Sequence, residues 1–446
     1  IHSIMSDRQG NLWLCTYSKG LEKITFSKSQ FQILSPGKLA GESIGNDTRA
    51  LCQDSEGNLW VGTKDGTVYL YNREMKKLGY LTANGAISNT GKKLEGAAYF
   101  ITQDHNGVMW IATKGEGLIK AKKISNRYIL TRYKHSGNDI YSLSDDKVYC
   151  VYEDRFHRLW VATYGGGINY IEQCGGDKVR FINHGNNLKN YPQNRCFKVR
   201  YITSDYLHHI CVATTAGMVV FNDDFKHPED IHFAYYRNRA GDKTALGNND
   251  VHWIYSNRKY GTYLATFGGG LNKLISADAG RAAFKCYTVK DGLLSDVLLS
   301  IQEDKQGYLW ISSESGISRF DPKTLQFENY TDNTFPCRAQ FNEATSVRLQ
   351  SGAMAFGTNC GIFYFDPAKA RKSTYAPYIY LSDLQINNKP VSPLENNKDS
   401  VLTKDVEYLK QLKLKHNKNT ISIRFAALDY RDASNIKYAY KLEGFD

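Results

Sequence analysis

A ten-residue phrase recurs along this chain and constrains its fold more than any other feature. Its clear copies are residues 7–16 (DRQGNLWLCT), 54–63 (DSEGNLWVGT), 104–113 (DHNGVMWIAT) and 304–313 (DKQGYLWISS). Residues 154–163 (DRFHRLWVAT) keep the frame with His157 in place of the glycine, and 205–214, 257–266 and 349–358 are worn copies. The seventh position reads Trp13, Trp60, Trp110, Trp160, Cys211, Tyr263, Trp310 and Ala355, spaced 47, 50, 50, 51, 52, 47 and 45 residues apart. A period of that length, filled with short strands, is the mark of a β-propeller blade.

The unit has a physical logic. Asp-x-x-Gly is turn chemistry, in which the carboxylate accepts from backbone amides and glycine supplies a left-handed residue. The Leu-Trp-Val-Gly-Thr run then alternates faces with period two, so a large indole shares a face with small residues and can pack into the next sheet. Tryptophan and aspartate in this frame are therefore expected to make core and turn, not a site. A glycine turn follows each run, as at 165–167 and 268–270, and then another apolar strand. From about 43 to 366 seven copies follow one another, and the first stands apart at the head of the chain.

Composition excludes several classes. The chain of 446 residues is 13% aromatic with 31 tyrosines, which suits a globular β-rich protein. No run of 18 apolar residues exists to span a membrane as a helix. Nine cysteines, with no C-x-x-C pair, read as buried small hydrophobes; neither a disulfide framework nor a metal site is expected. The net charge of +12 is scattered, without a nucleic-acid-binding motif, so it describes a solvated surface or attraction to an anionic partner. The start at Ile1 falls in mid-repeat and reads as a cut end.

Longer polar segments join most repeats, and in a radial array they emerge on one face. Asn46, Asp146, Asn249 and Asp296 stand eight residues before the aspartate slot, with Asn342 one place off. Two readings are open for this set: Asx turns that ease each loop into its strand, or acceptors for a polar ligand over the axis. Trp253, the one tryptophan outside the repeated slot, and its neighbour His252 are core residues or a ligand platform. The same face offers Tyr164, Phe267, Arg195 and Arg338, so the candidate ligand-binding set is Trp253, His252, Asn249, Arg195, Tyr164, Phe267, Asp146, Asp296, Arg338 and Asn342.

After Asp366-Pro367 the pattern changes. Residues 378–387, 412–415, 420–428 and 436–442 read as strands of an immunoglobulin-like sandwich that lacks its closing strands, with a polar loop over 387–404. The expected organisation is all-β: 1–42, a trailing blade of an upstream propeller or a first blade; 43–372, a propeller of seven blades, with eight as the alternative; 373–446, the incomplete sandwich.

The phrase D-x-x-G-x-L-W-[VIL]-[GA]-T, followed by G-G-[LI], resembles the two-component regulator propeller repeat. The tail, 421–430 (ISIRFAALDY) and 438–446 (YAYKLEGFD), resembles the opening of the Y_Y_Y domain. That order is similar to the sensor ectodomain of hybrid two-component systems of gut Bacteroidetes. The resemblance implies a periplasmic module at the inner membrane whose parent carries a transmembrane helix, a histidine kinase, a receiver and a DNA-binding region. It also implies tandem seven-bladed propellers, a homodimer, and control of polysaccharide-utilisation genes by an oligosaccharide; basic residues on the loop face would suit an acidic one.

Two other functions compete. A propeller enzyme, sialidase- or lyase-like, would need two placed carboxyls or a tyrosine with an acid partner, and candidates such as Asp146, Glu314 and Asp296 show no pairing by spacing. No H-E-x-x-H, P-loop or G-x-S-x-G occurs. Catalytic residues, cofactors and nucleic acid are therefore not expected. A protein-interaction scaffold fits the fold equally well.

Overall fold

A computed structural model describes all residues except 26–29, 38–40, 42, 175–177, 279, 332–334, 337, 371–376, 392, 394–401, 403, 410, 431–435, 437, 442, 445 and 446. The chain divides into two units, 29–370 and a second formed by 1–28 with 371–446.

The larger unit is a ring of seven antiparallel sheets. Their innermost strands are Thr48–Gln53, Ala97–Gln103, Val148–Glu153, Val199–Ser204, Val251–Asn257, Leu298–Glu303 and Phe341–Arg348, which open blades 1 to 7. Each packs against the next, and the seventh returns to the first. Blade 7 takes its outermost strand, Phe31–Leu34, from the head of the unit, pairing it with Gly361–Phe365. That strand corrects the expected boundary at 43, and the ring has seven blades rather than eight.

The repeated phrase explains the closure. In blades 1, 2, 3 and 6 the aspartate Oδ2 accepts the indole Nε1–H of the tryptophan six residues on, at 2.9 Å. Its Oδ1 accepts backbone N–H groups across the turn, as Asp104 does from Asn106 and Val108 at 3.0 and 2.9 Å. The indoles of Trp60, Trp160 and Trp310 are wholly buried, and Trp110 nearly so. Each enters an apolar cluster shared with the following blade, and seven such clusters occupy the seven interfaces. The small residue beside the tryptophan makes room: a Cβ on Gly62 would lie 2.7 Å from Ala98 Cβ of blade 2. In the worn fourth blade, where Cys211 replaces tryptophan, His209 Nδ1 takes over the aspartate at 2.9 Å from Asp205 Oδ2. A sheet with one such face cannot bury itself, so the blades stack until the ring closes.

The smaller unit holds the first copy of the phrase as a three-stranded sheet, Ser3–Ser6, Leu12–Thr16 and Gly20–Ile24. A second sheet pairs Ile379–Ile386 with Ile421–Ala427 and with the short Lys389–Pro390. Within this unit Gln9 donates to Asp429 and accepts from the Tyr430 amide, both at 2.8 Å, while Trp13 and Tyr430 meet edge to face at 5.2 Å. Residues 412–415 do not form the expected strand, nor do the described residues of 436–442; positions 437 and 442 lie outside the described residues, as does much of the loop 387–404. Cys15, Cys52, Cys150, Cys174, Cys196, Cys211 and Cys286 are free thiols.

Candidate functional site at the channel mouth

Every inner strand of blades 1 to 6 carries a β-bulge near its start. The register skips between Thr48 and Ala50, Ala98 and Phe100, Val148 and Cys150, Val199 and Tyr201, Val251 and Trp253, and Leu298 and Ser300. A bulge leaves one residue outside the ladder and re-aims its side chain. The residues so released are Arg49, Tyr99, Tyr149, Arg200, His252 and Leu299. In blade 7 the skip is wider, from Phe341 to Ser346, and frees Asn342 and Glu343.

These side chains meet at the loop-side end of the central channel and form a circuit. Arg49 pairs with Asp47 through two bonds of 2.8 and 3.1 Å and lies over the Tyr99 ring at 5.8 Å. Tyr99 contacts Tyr149 at 5.1 Å, and Tyr149 stacks on Tyr164 at 4.7 Å and 16°. Arg200 lies over Tyr164 at 5.5 Å, forks onto Asp250 at 2.6 and 2.9 Å, and reaches Glu343 of blade 7. Asn342 closes the circuit by donating to Asp47 Oδ1 at 2.9 Å. Lys114 and Lys198 add ammonium groups over Tyr99 and Tyr164, and Lys147 is exposed between them in sequence.

One member is not satisfied. His252 is 3% exposed, and neither ring nitrogen has a hydrogen-bond partner. Asp250 and Glu343 stand 3.7 and 4.0 Å from its Nε2, beyond hydrogen-bond reach, and Phe267 covers it at 5.4 Å. A buried polar group without a partner costs on the order of 1–3 kcal/mol. Electrostatics tie the neighbours together. Against its own desolvation, Asp250 is held down to about 2 by His252 beside it and the Arg200 fork. Desolvation pushes the Tyr149 phenol up, with Lys114 opposing and Glu343 adding to the shift.

The sequence-derived candidates divide. His252, Tyr164, Phe267 and Asn342 come together at this mouth. Asp146, Asn249 and Asp296 do not offer their side chains to the axis: each Oδ1 accepts a backbone N–H of its own incoming loop, from His135 at 2.7 Å, Asn238 at 2.7 Å and Val289 at 2.9 Å. Asn46 does the same for Gly37 at 2.7 Å. The carbonyls of Asp146 and Asp296 further staple the glycine turns at Gly115 and Gly117, and at Gly268 and Gly270. The Asx reading thus describes this set, and a ring of ligand acceptors does not. Arg195, on the four-residue helix Gln193–Cys196, and Arg338 are exposed on loops outside the circuit.

Trp253 lies deeper. Its ring stacks on Tyr201 at 4.0 Å and 15° and is 6% exposed. Both line a cavity of about 380 Å³ with Phe100, Tyr255, Gln302 and Glu303. Sequence reading missed Arg49, Tyr99, Tyr149, Arg200 and Glu343. The first four stand five residues before the aspartate slot, where strict alternation would bury them and only the bulge turns them inward.

Comparison with known proteins agrees with this architecture. The family described as "Two component regulator propeller" matches residues 43–65, 142–165 and 292–315. A curated relative, Histidine kinase P4 of Formosa agariphila, is 22% identical over the whole chain, which spans 28% of that protein. Among solved structures, the extracellular domain of a hybrid two-component system from B. thetaiotaomicron superposes with a TM-score of 0.65 at 21% identity, over 97% of this chain and 53% of that one. Virginiamycin B lyase from Staphylococcus aureus shares the ring at a TM-score of 0.51 and 12% identity, covering 75% of this chain and 97% of the lyase. The chain therefore spans about half, or less, of the two-component relatives it matches. Three of its repeats thus match the two-component regulator propeller model, and the larger unit has the fold of a seven-bladed propeller.

Proposed function

We propose that this chain is a ligand-sensing portion of the periplasmic ectodomain of a hybrid histidine kinase, and that the channel mouth takes an oligosaccharide carrying acidic groups. The matched repeat and the two-component relatives support the sensor reading. The observation that carries the ligand reading is His252, buried with both nitrogens unpartnered beside an aromatic and cationic circuit. Sugars need flat rings to stack on and planar polar groups to pair with their hydroxyls. Tyr99, Tyr149 and Tyr164 supply the first; Arg49, Arg200, Asp250, Asn342 and His252 supply the second. Lys114, Lys147 and Lys198 at the lip add positive charge, which favours uronate or sulfate over a neutral glycan.

The proposal extends to the whole protein. The ectodomain acts as a homodimer anchored by a downstream transmembrane helix, and ligand binding biases protomer orientation to control polysaccharide-utilisation genes. No described helix of this chain is long and apolar enough to cross a membrane. The decisive experiment is a thermal-shift and calorimetric panel of neutral, uronate-bearing and sulfated oligosaccharides. An acidic glycan is expected to raise Tm in the native chain and not in Tyr149→Ala or Arg49→Ala. Equal shifts in native protein and variants, or none with any glycan, would overturn the assignment.

A further inference from the structure

At the opposite ends of the inner strands the blades are stapled by one recurring bond. The residue before the aspartate slot accepts the N–H that follows the aspartate of the preceding blade. Gln103 takes Ser55 N–H at 2.7 Å, Gln53 takes Gln350 N–H at 2.7 Å, and Ser256 takes Tyr206 N–H at 3.1 Å. An uncharged acceptor suffices in all three. Between blades 2 and 3 the acceptor is instead a carboxylate, with Glu153 Oε2 taking His105 N–H at 2.8 Å. Its other oxygen is left for two imidazoles. His105 Nδ1 contacts Oε1, His157 Nδ1 stands 3.3 Å from the same oxygen, and the two rings lie 3.8 Å apart.

His157 is costly where it stands. It occupies the left-handed turn position, with φ of 62°, that Gly57, Gly107 and Gly307 fill in sibling turns at 84°, 78° and 91°. A side chain there costs on the order of 1 kcal/mol over glycine. His208 fills the same place in blade 4 at φ of 71°, but the residue in the place of Glu153 there is Ser204, with no carboxylate. The departure from glycine and a carboxylate acceptor thus coincide at one junction, and the staple itself requires neither.

We propose that His105, Glu153 and His157 bind a divalent cation of the zinc class, clasping blades 2 and 3 independently of the channel mouth. One ligand atom from each residue lies within 4.8 Å of the other two, and ligand atoms around tetrahedral zinc stand about 3.3 Å apart, so a small rearrangement of the exposed imidazoles, with His105 moving off Glu153, completes the set. Two imidazoles and one carboxylate give a borderline donor set with a fourth position open to water. The imidazoles are 40% and 58% exposed, so the ion would exchange with solvent, while Glu153 at 17% is held in place by its bond from the backbone.

The test is a titration of chelator-treated protein with zinc chloride, followed by calorimetry and thermal melting, with cobalt(II) absorbance as a second readout. Native chain is expected to bind one equivalent saturably, gain Tm, and show a tetrahedral cobalt band. Glu153→Gln keeps the staple that glutamine makes elsewhere, and His157→Gly restores the sibling turn. Both are expected to fold, to weaken zinc binding at least tenfold and to lose the cobalt band, with His157→Gly melting no lower than native protein in the absence of metal. Absence of saturable binding in the native chain would overturn the proposal. So would native-like binding in both variants, which would place the ion elsewhere.

Discussion

The two ends of each inner strand teach opposite lessons. At the turn end four of the seven blades repeat one chemistry: an aspartate, an indole 2.9 Å away, and a tight turn. At the channel end the bulged position reads Arg49, Tyr99, Tyr149, Arg200, His252 and Leu299, with no two neighbours alike except the tyrosines. Repetition marks where the ring makes itself, because every interface poses the same packing problem. Variety marks where a single asymmetric partner would be met, because each blade contributes one contact to it. The bulge is common to both, being a backbone device that recurs while its side chain changes.

The contrast can be broken at its strongest point first. Trp310→Ala at the turn end removes a wholly buried indole and is expected to cost about 3–5 kcal/mol in denaturant unfolding, with glycan affinity in the surviving fold unchanged. At the channel end, Arg200→Ala strips the shared partner from Asp250 and Glu343, whose side chains are 26% and 24% exposed. A loss of about 2 kcal/mol is expected, less than for a fully buried pair, with Glu343→Gln strongly non-additive in a double-mutant cycle.

Acid should separate the ends as well. Asp250 has a folded pKa of about 2, below the ordinary 3.8, so its stabilisation is present above pH 4 and is lost as pH falls through 2. The stability gap between native protein and Asp250→Asn should therefore close by roughly 2 kcal/mol between pH 6 and pH 2 in chemical unfolding. Tyr149→Ala should leave Tm within a few degrees yet weaken the acidic glycan about tenfold, since Tyr149 lies in a stacked pair at the mouth rather than in an interblade cluster. The smallest effect sets two terms against each other. His252→Phe removes two buried nitrogens that have no hydrogen-bond partner, but also a neighbour that helps to hold Asp250 ionised, so the stability of the free protein should change by less than about 1 kcal/mol while binding is lost.

Legibility followed the same division. The repeat period, the burial of its tryptophans and the turn role of its aspartates could be read directly, because they are local or depend only on a face being apolar. The register of the Asx residues Asp146, Asn249 and Asp296 is legible in sequence but allows two roles, and only the hydrogen bonds from their own loops decide between them. Trp253 and His252 are adjacent in sequence, yet Trp253 lines the cavity of about 380 Å³ while His252 stands at the mouth, because the register skip between Val251 and Trp253 takes His252 out of the ladder. The repeat count allows a ring of seven or eight, and the pairing of Phe31–Leu34 with Gly361–Phe365 in blade 7 decides for seven.

By itself, the sequence determined that this protein is a ring of stacked sheets with its variable loops on one face, since periodic apolar faces admit few other ways to be buried. Which residues meet at the axis was decided only by the tertiary structure. Arg200 and Glu343 are 143 positions apart and belong to blades 4 and 7. Such a contact exists only once the ring has closed, and it is set by backbone irregularities that leave no mark in a two-residue alternation.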